Sequence, residues 1–409
     1  MEKSMAVKVS DNIHDDIAFA ILSKLPLKSL RRFECLRKSW SLLFDNPHFI
    51  TVYRKNFLSK CPSYDDEASF LIYIHGGKRL YSLFGERFEN MVRLDRPNIV
   101  SRQYTNLTFL DFSSVNGVLC FTEGTGNKVV LWNPTTKEFN AIPPSPFESF
   151  SPPAELNFKA AIEFRANPIL HGFGYDCVRD DYKLIRHTCI DYCFPDSSDL
   201  LIGMPSDRDL SLLQDKSLNP FWEIYSLRSN SWNKLDADMP RCRQYCNGFV
   251  TNGVNTDGVC HWLHLDSENN YVGACLISFN LRNMVFTNTL IPSFIGANWA
   301  KLMVLNGSIA LITYHEKITT FNISVLGELG VKESWIKLFI VGPLPCVHIP
   351  IGVGKKGEIF LRKKDDELAW IDLNTNTIEE LGFKGNRYNW RGQIVTYTKS
   401  LLPIERISY

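Results

Sequence analysis

The stretch VVLWNPTTKEF, residues 129–139, has the pattern of a β-strand, a turn and the start of a second strand. Four apolar residues end at Trp132, and aromatic and β-branched side chains pack well on a pleated sheet. Asn133 and Pro134 begin a polar segment, and both residue types favour turn geometry. The stretch IDLNTNTI, residues 371–378, repeats this pattern near the other end of the chain. The sequence therefore predicts a mainly β domain.

The strand-and-turn pattern recurs along the chain. An aromatic or aliphatic landmark before a polar turn is found at Tyr81, Trp132, Tyr182, Tyr225, Phe279, Phe321 and Ile371. Successive landmarks are separated by about 42 to about 54 residues, and a period of roughly 40 to 50 residues is typical of propeller blades. We predict a β-propeller-like domain of six to eight blades over residues 70–402, with seven as the favoured number. A pair of β-sandwiches is the alternative.

The chain before this domain follows the helical period. Ile17, Ile21, Leu22 and Leu25 lie on one face of a first helix that Pro26 should end. Leu30, Phe33, Leu36 and Trp40 continue the period in a second helix. Asn46 followed by Pro47 is typical of a third helix start. Residues 10–58 are thus predicted to form a small three-helix module, and the polar residues 59–69 a linker.

This module has more apolar positions than three short helices need for one another. The surplus either packs on the rest of the chain or forms a surface for a partner. The helical period alone leaves both readings open.

Composition excludes several classes of protein. The chain has 409 residues and a formal net charge of +1, so no global charge favours nucleic acid or a membrane surface. Its 11 cysteines are odd in number and scattered, and the first 12 residues lack an apolar signal core. The longest apolar stretch, residues 302–314, is too short to span a bilayer. We expect a chain of the cytoplasm, the nucleus or both.

Residues 13–40 resemble the F-box of plant proteins. The resemblance is carried by LPLKSLRRF, residues 25–33, and CLRKSW, residues 35–40, after the helical segment around Ile17. The family usually opens with Leu-Pro, where this chain has Ile13 and His14, and it usually has smaller residues at the positions of Leu36 and Arg37. These departures leave the apolar helical face intact but put the strength of docking in doubt.

The remainder resembles the kelch-like F-box-associated domain. Its phrases appear in order: SVNGVLC at 114–120, LWNPTT at 131–136, GFGYD at 172–176, GVCHW at 258–262, GVKESW at 330–335 and YTKSL at 397–401.

The two resemblances together imply a non-catalytic receptor subunit of an SCF-type (Skp–cullin–F-box) ubiquitin ligase. Such a subunit binds the Skp adaptor and, through it, the cullin and RING subunits, and it captures a protein substrate for ubiquitination with its propeller. The residues predicted to bind the adaptor are Ile13, Ile17, Ile21, Leu22, Leu25, Pro26, Leu27, Leu30, Phe33, Leu36 and Trp40. The alternatives are an F-box scaffold without a degraded substrate and a carbohydrate-binding kelch-like propeller.

No cofactor or metal site is expected. Residues 352–357 match G-x-G-x-x-G, but a strand pattern follows where a dinucleotide site needs a helix. Cys242, Cys246, Cys260, His261 and His264 have a spacing that fits zinc poorly.

Two long polar segments are the candidates for the substrate surface, residues 141–168 and residues 192–220. Connections of this length are often functional or disordered. Phe221 and Trp222, at the end of the second segment, are candidate anchors.

Overall fold

The computed structural model describes residues 15–25, 33, 36, 40, 42, 46, 48–49, 52, 69–74, 79–85, 87–95, 107–109, 114–123, 128–148, 163–193, 219–236, 253–264, 274–292, 299–305, 307–354, 357–373, 375–384 and 393–404. The fold is mainly β, as the strand-and-turn pattern predicts.

The described residues include one α-helix, α1 (Asp15–Leu22), which begins with two carboxylates that suit the positive end of its dipole. It ends four residues before Pro26, in a tightened turn where the Leu25 N–H donates to the Leu22 carbonyl. Helical backbone also occurs at Phe33, Trp40 and residues 48–49. Asn46 caps the latter, since its Oδ1 accepts the His48 N–H at 2.9 Å. The complete three-helix arrangement lies partly outside the described residues and stays a prediction.

The β-domain consists of six four-stranded antiparallel sheets. From the first strand of each sheet to the last, the blades are: β24 (Gln393–Tyr397), β1 (Ser69–Ile74), β2 (Arg79–Phe84) and β3 (Asn90–Leu94); β4 (Leu107–Phe109), β5 (Leu119–Glu123), β6 (Lys128–Trp132) and β7 (Phe139–Ala141); β8 (Glu163–Asp176), β9 (Asp181–Cys193), β10 (Phe221–Ser226) and β11 (Ser231–Leu235); β12 (Val254–Thr256), β13 (Val259–His264), β14 (Cys275–Asn280) and β15 (Val285–Leu290); β16 (Trp299–Leu305), β17 (Ser308–His315), β18 (Thr320–Leu326) and β19 (Trp335–Val341); β20 (Val347–Val353), β21 (Ile359–Lys363), β22 (Glu367–Ile371) and β23 (Ile378–Lys384).

The sheets form a six-bladed propeller. The first strands β8, β12, β16, β20 and β24 contact one another in succession and line its centre. The last strand of the chain, β24, pairs with β1 from Ser69↔Tyr397 to Tyr73↔Gln393. The first blade is therefore built from both ends of the domain, which closes the ring and removes an open sheet edge.

The favoured number of seven blades was wrong. Tyr182 and Tyr225 are separate landmarks in the sequence, but they lie on β9 and β10 of the same third blade. This blade contains strands of 14 and 13 residues, and residues 194–220 separate its second and third strands. The added length imitates one extra repeat. The G-x-G-x-x-G segment joins β20 to β21, so a strand follows it, as predicted.

The core lies between neighbouring blades. Gly172 on β8 faces Cys260 on β13, where an added Cβ would lie 2.5 Å from the Cys260 side chain. At the end of the same seam, Lys183 Nζ contacts Asp176 at 2.7 Å and donates to the Leu281 carbonyl at 2.9 Å. Burial raises the pKa of Asp176, but hydrogen bonds from Lys183 and Arg179 outweigh it and lower that pKa to about 2. This buried ion pair fastens the third blade to the fourth.

Candidate functional site

The helical residues pack against the end of the chain. Leu22 and Phe49 are buried in one cluster with Leu401 and Leu402, which follow the closing strand β24. We call these four residues the joint cluster. Four partly buried side chains pack around it: Phe19, Leu25, Phe33 and Trp40. Part of the apolar surplus of the helical module therefore packs on the rest of the chain, which was one of the two readings left open.

The chain beneath this cluster, residues 400–404, is termed the C-terminal segment, and it is held by the second blade. Asn133 is fully buried, and its Nδ2 donates to the Ser400 carbonyl at 3.1 Å and to the Leu402 carbonyl at 2.9 Å. Its Oδ1 accepts the N–H of Thr135 at 2.9 Å and that of Thr136 at 3.4 Å. The amide thus fills its hydrogen-bonding capacity by joining a turn to the C-terminal segment.

Two further contacts hold this segment and the end of β24 that leads into it. The Ile404 N–H donates to Glu138 Oε2 at 3.1 Å, and the Tyr397 hydroxyl lies 2.9 Å from Thr135 Oγ1. Gly117 has φ +79°, and an added Cβ would lie 2.5 Å from Ser400. Three phrases of the family resemblance, at 114–120, 131–136 and 397–401, therefore meet here. Ile404 is buried in the core, so the contacts of the segment extend two residues beyond the predicted boundary at 402.

The residues predicted to bind the adaptor divide into two groups. Leu22, Leu25, Phe33 and Trp40 lie at the joint cluster. Ile17, Ile21 and Leu36 are exposed by 56%, 51% and 70%, and Leu42, which was not predicted, is exposed by 60%. These four exposed residues are termed the outer apolar face. Ile13, Pro26, Leu27 and Leu30 lie outside the described residues, and the adaptor role of the whole set stays a prediction.

The two candidate substrate segments meet at the third blade. Within 141–168, residues 142–148 are packed, because Trp232 Nε1 donates to the Pro143 carbonyl at 2.8 Å and Ser145 Oγ to Glu223 Oε1 at 2.6 Å. Residues 163–168 belong to β8, so 149–162 is the part outside the described residues. Of 192–220, residues 194–218 lie outside them.

A buried ion-pair network anchors this meeting point. Arg186 Nε donates to Glu223 Oε2 at 2.8 Å, and Arg186 Nη1 donates to Glu148 Oε1 at 2.9 Å. The guanidinium also lies 3.8 Å from the ring centre of Trp232. Arg186 and Glu223 are almost completely buried, so their geometry is tightly determined. The network gives residues 145–148 a rigid support on β9 and β10.

Next to this network, Phe147, Phe221 and Lys234 form a small surface that we call the aromatic platform. The two rings are 6.2 Å apart, edge to face, and the Lys234 ammonium lies 4.7 Å from Phe147 and 4.1 Å from Phe221. Phe221 is half-buried, whereas Trp222 is fully buried between the third and fourth blades. Phe221 is therefore the candidate anchor that a partner can reach in this structure.

The pairing register places these features on one face of the propeller, at the strand ends of the third blade. Glu163 pairs with Cys193, Phe221 with Thr188, and Trp222 with Leu235. The strand ends on that face are thus joined to residues 149–162, 194–218 and 237–252. The joint cluster adjoins the other face of the propeller, since Tyr397 ends β24 and Asn133 begins the turn from β6 to β7.

Histidines line the seam between the third and fourth blades. His171 occupies a β-bulge in β8 and lies 4.9 Å from the ring of Trp222 and 5.0 Å from that of Trp262. Neither of its ring nitrogens has a hydrogen-bond partner among the residues that the structure describes. Burial lowers the pKa of His171 well below 6.5, and the nearby His187 and His264 lower it further. The imidazole is therefore neutral at physiological pH.

The residues considered for zinc whose positions the structure describes are not gathered at one site. Cys242 and Cys246 lie outside the described residues. Cys260 packs against the third blade, whereas His261 bonds to Thr256 and Ser278 within its own sheet, each at 2.8 Å. Among the residues with described positions, no group of three or more His, Cys, Asp or Glu side chains is arranged to hold a metal. No helix in that part of the chain is long and apolar enough to cross a membrane.

Sequence reasoning missed the C-terminal segment, the Arg186–Glu223 network and the bulge at His171. The LWNPTT and YTKSL phrases marked two of the contacting elements, but nothing in their spacing shows that they touch. No sequence pattern indicated the charged network, because Arg186 and Glu223 lie on different strands and come together only when β9 pairs with β10.

Comparisons with known proteins agree with this architecture. Residues 72–404 match the family model described as the F-box associated beta propeller domain. Among Arabidopsis thaliana relatives, F-box protein At2g40925 is 25% identical over 82% of this chain and 72% of its own length. F-box protein CPR1 is 21% identical over 93% of this chain and 86% of its own. Putative F-box/kelch-repeat protein At3g17540 is 23% identical over 99% and 95%.

Solved structures that overlap the chain are more distant. A DUF4784 family protein from Bacteroides caccae has a TM-score of 0.43 at 10% identity, covering 82% of this chain and 74% of that one. An oligogalacturonate lyase in complex with manganese has a TM-score of 0.38 at 11% identity, covering 74% and 69%.

Proposed function

This chain belongs to the F-box associated β-propeller family, and from that premise we propose that it is the substrate receptor of an SCF-type ubiquitin ligase. In this proposal residues 10–58 dock to the Skp adaptor, residues 59–69 are a linker, and residues 70–402 capture a protein substrate. The adaptor brings the cullin and RING subunits, and ubiquitin transfer is catalysed elsewhere in the complex. The complex acts in the cytoplasm, the nucleus or both.

One observation carries the adaptor proposal. Ile17, Ile21 and Leu36 are exposed while Leu22 and Phe49 are buried in the joint cluster. Large aliphatic side chains left in water on a short helical module mark a surface that gains free energy when a partner covers it. The module can therefore hold the propeller with one side and an adaptor with the other.

The proposal is tested with the double variant Ile17→Asp/Ile21→Asp. Two carboxylates placed at a dry contact lack partners and weaken binding by at least about 2 kcal/mol, which is more than tenfold in affinity. Co-purification of the full chain with a Skp adaptor should fall accordingly. These positions lie outside the joint cluster, so the propeller should stay folded.

A matched control is Ile318→Asp/Ile336→Asp. These two isoleucines are exposed by 60% and 56%, much like Ile17 and Ile21, but they lie on the propeller. The control should capture the adaptor as well as the wild-type chain does. Equal capture by both double variants would contradict docking through the outer apolar face.

A further inference from the structure

The helical module is attached to the propeller at a place that the covalent chain does not dictate. The polar linker leads from the module to β1, yet the buried contact of the module is with Leu401 and Leu402, beyond β24. Residues far apart in sequence are thus packed together, and the module is held at a second point besides its linker. A tether alone would leave its orientation free.

We propose that Asn133 and the C-terminal segment form a rigid joint that fixes the helical module on the propeller and so positions a captured substrate for ubiquitin transfer. The positioning role rests on the proposed function, whereas the joint itself does not. Asn133 acts as a positioning residue through the backbone of residues 400–402. The joint lies on one face of the propeller, and the strand ends that the substrate segments join lie on the opposite face, so a change in the angle of the joint moves those strand ends through a large arc.

The chemistry of Asn133 makes the segment a fixed support. Its two donors bond to the carbonyls of Ser400 and Leu402, which face the same amide nitrogen from one turn of chain. The Leu402 N–H in addition donates to Ser400 Oγ at 3.0 Å. Since Asn133 is fully buried, water cannot replace these bonds without opening the packing. Leu402 is 1% exposed and is therefore presented to Leu22 and Phe49 in one defined position.

The substitution Asn133→Asp separates the joint from the turn. The Asp side chain has nearly the same shape, and its first oxygen still accepts the N–H groups of Thr135 and Thr136. Its second oxygen faces the two carbonyls of the C-terminal segment. As a carboxylate this oxygen bonds to neither carbonyl, and when protonated it can donate to only one of them. The variant should therefore release the segment while it keeps the turn.

The chain offers a matched control at the corresponding turn of the fourth blade. Asn280 Oδ1 accepts the N–H of Arg282 at 2.9 Å and that of Asn283 at 3.4 Å, as Asn133 does in its own turn. It holds no part of the C-terminal segment. Asn280→Asp should therefore leave the joint unchanged.

The first experiment tests the joint without any ligase component. A site for a specific protease is inserted within residues 61–68 of the full chain, the linker is cut, and the products are separated by size exclusion. The cut wild-type chain and the Asn280→Asp control should elute as one species. Asn133→Asp should lose the helical fragment at least tenfold faster, and Leu402→Asp should release it. Thermal melting confirms that the propeller of each variant is folded.

The proposed joint would be overturned if the two wild-type fragments separated after cutting. It would also be overturned if Asn133→Asp and Leu402→Asp both retained the helical fragment as well as the wild type does. A second readout distinguishes a positioning role of Asn133 from a purely structural one. In a complex reconstituted with Skp adaptor, cullin and RING subunits, the ubiquitinated lysines of the propeller are mapped by mass spectrometry. Wild type should show a narrow set and Asn133→Asp a broader one, with equal adaptor capture. An unchanged set would overturn the positioning role. Failure of the wild type to bind adaptor would instead defeat the proposed function and leave the cutting experiment decisive for the joint.

Discussion

At the scale of single residues, His171 has an unusual environment for a titratable side chain. It lies between two indoles at a β-bulge, and both ring nitrogens lack a hydrogen-bond partner within the described part of the chain. Burial also lowers the pKa values of His187 and His261, each to about 4. An unfolded chain protonates all three below about 6.5. These groups therefore contribute stability that is fully present above that pH and is lost as pH falls toward the folded values.

His171→Phe should reduce this acid sensitivity. No hydrogen bond is lost, so the free energy of unfolding at about pH 7.5 should change by no more than about 1 kcal/mol. Between about pH 7.5 and about pH 5.5, the variant should lose less thermal stability than the wild type, because one group no longer takes up a proton on unfolding. An unchanged acid loss in His171→Phe would count against this account.

At the scale of elements, the local pattern predicted strands well and their grouping less well. The turns after Trp132 and Ile371 join β6 to β7 and β22 to β23, as their sequences indicate, because Asn and Pro specify turn geometry locally. Tyr182 follows a turn instead of preceding one, so it belongs to a second strand of the blade that contains Tyr225. Period counting cannot detect such an error, since the spacing of 43 residues from Tyr182 to Tyr225 falls within the range found between landmarks of different blades.

The closing strand β24 provides a test at this scale. Truncation after residue 392 removes the partner of β1 and takes Val395 and Tyr397 out of the core cluster that contains Leu71. The ring then opens along a hydrophobic edge, and cooperative thermal melting should be lost. Truncation after residue 399 removes Leu401 and Leu402 but keeps β24, so the propeller should still melt cooperatively. Comparable melting of both truncated chains would show that closure does not depend on β24.

At the scale of the whole molecule, sequence predicted the two regions but not how they meet. Leu22 lies on an apolar helical face in the sequence, and such a face has the same pattern whether it packs within the chain or binds a partner. The choice is made by Leu401 and Leu402, which lie more than 350 residues away in the chain. The meeting of Phe147 with Phe221 depends likewise on the pairing of β9 with β10. Long-range pairing of this kind has no local signature.

The geometry of the third blade leads to the last prediction, which concerns the substrate. Replacing residues 196–218 by a short Gly/Ser linker should spare folding and adaptor capture, because a change in loop length costs little stability. It should reduce by at least tenfold the capture of whichever protein the wild-type chain retrieves. The replaced segment is joined to strand ends on the propeller face that carries Phe147, Phe221 and Lys234, so Phe221→Ala should weaken the same capture.

The control for this prediction is a Gly/Ser replacement of residues 327–333, the turn between β18 and β19, most of which is exposed. That turn lies on the propeller face that also carries the turn after Asn133, opposite to the face of the aromatic platform. Its replacement should leave capture intact, since no candidate substrate contact is removed. If capture survives the replacement of 196–218 and that of 149–162 alike, recognition takes place at another surface, and the assignment to the third blade is wrong.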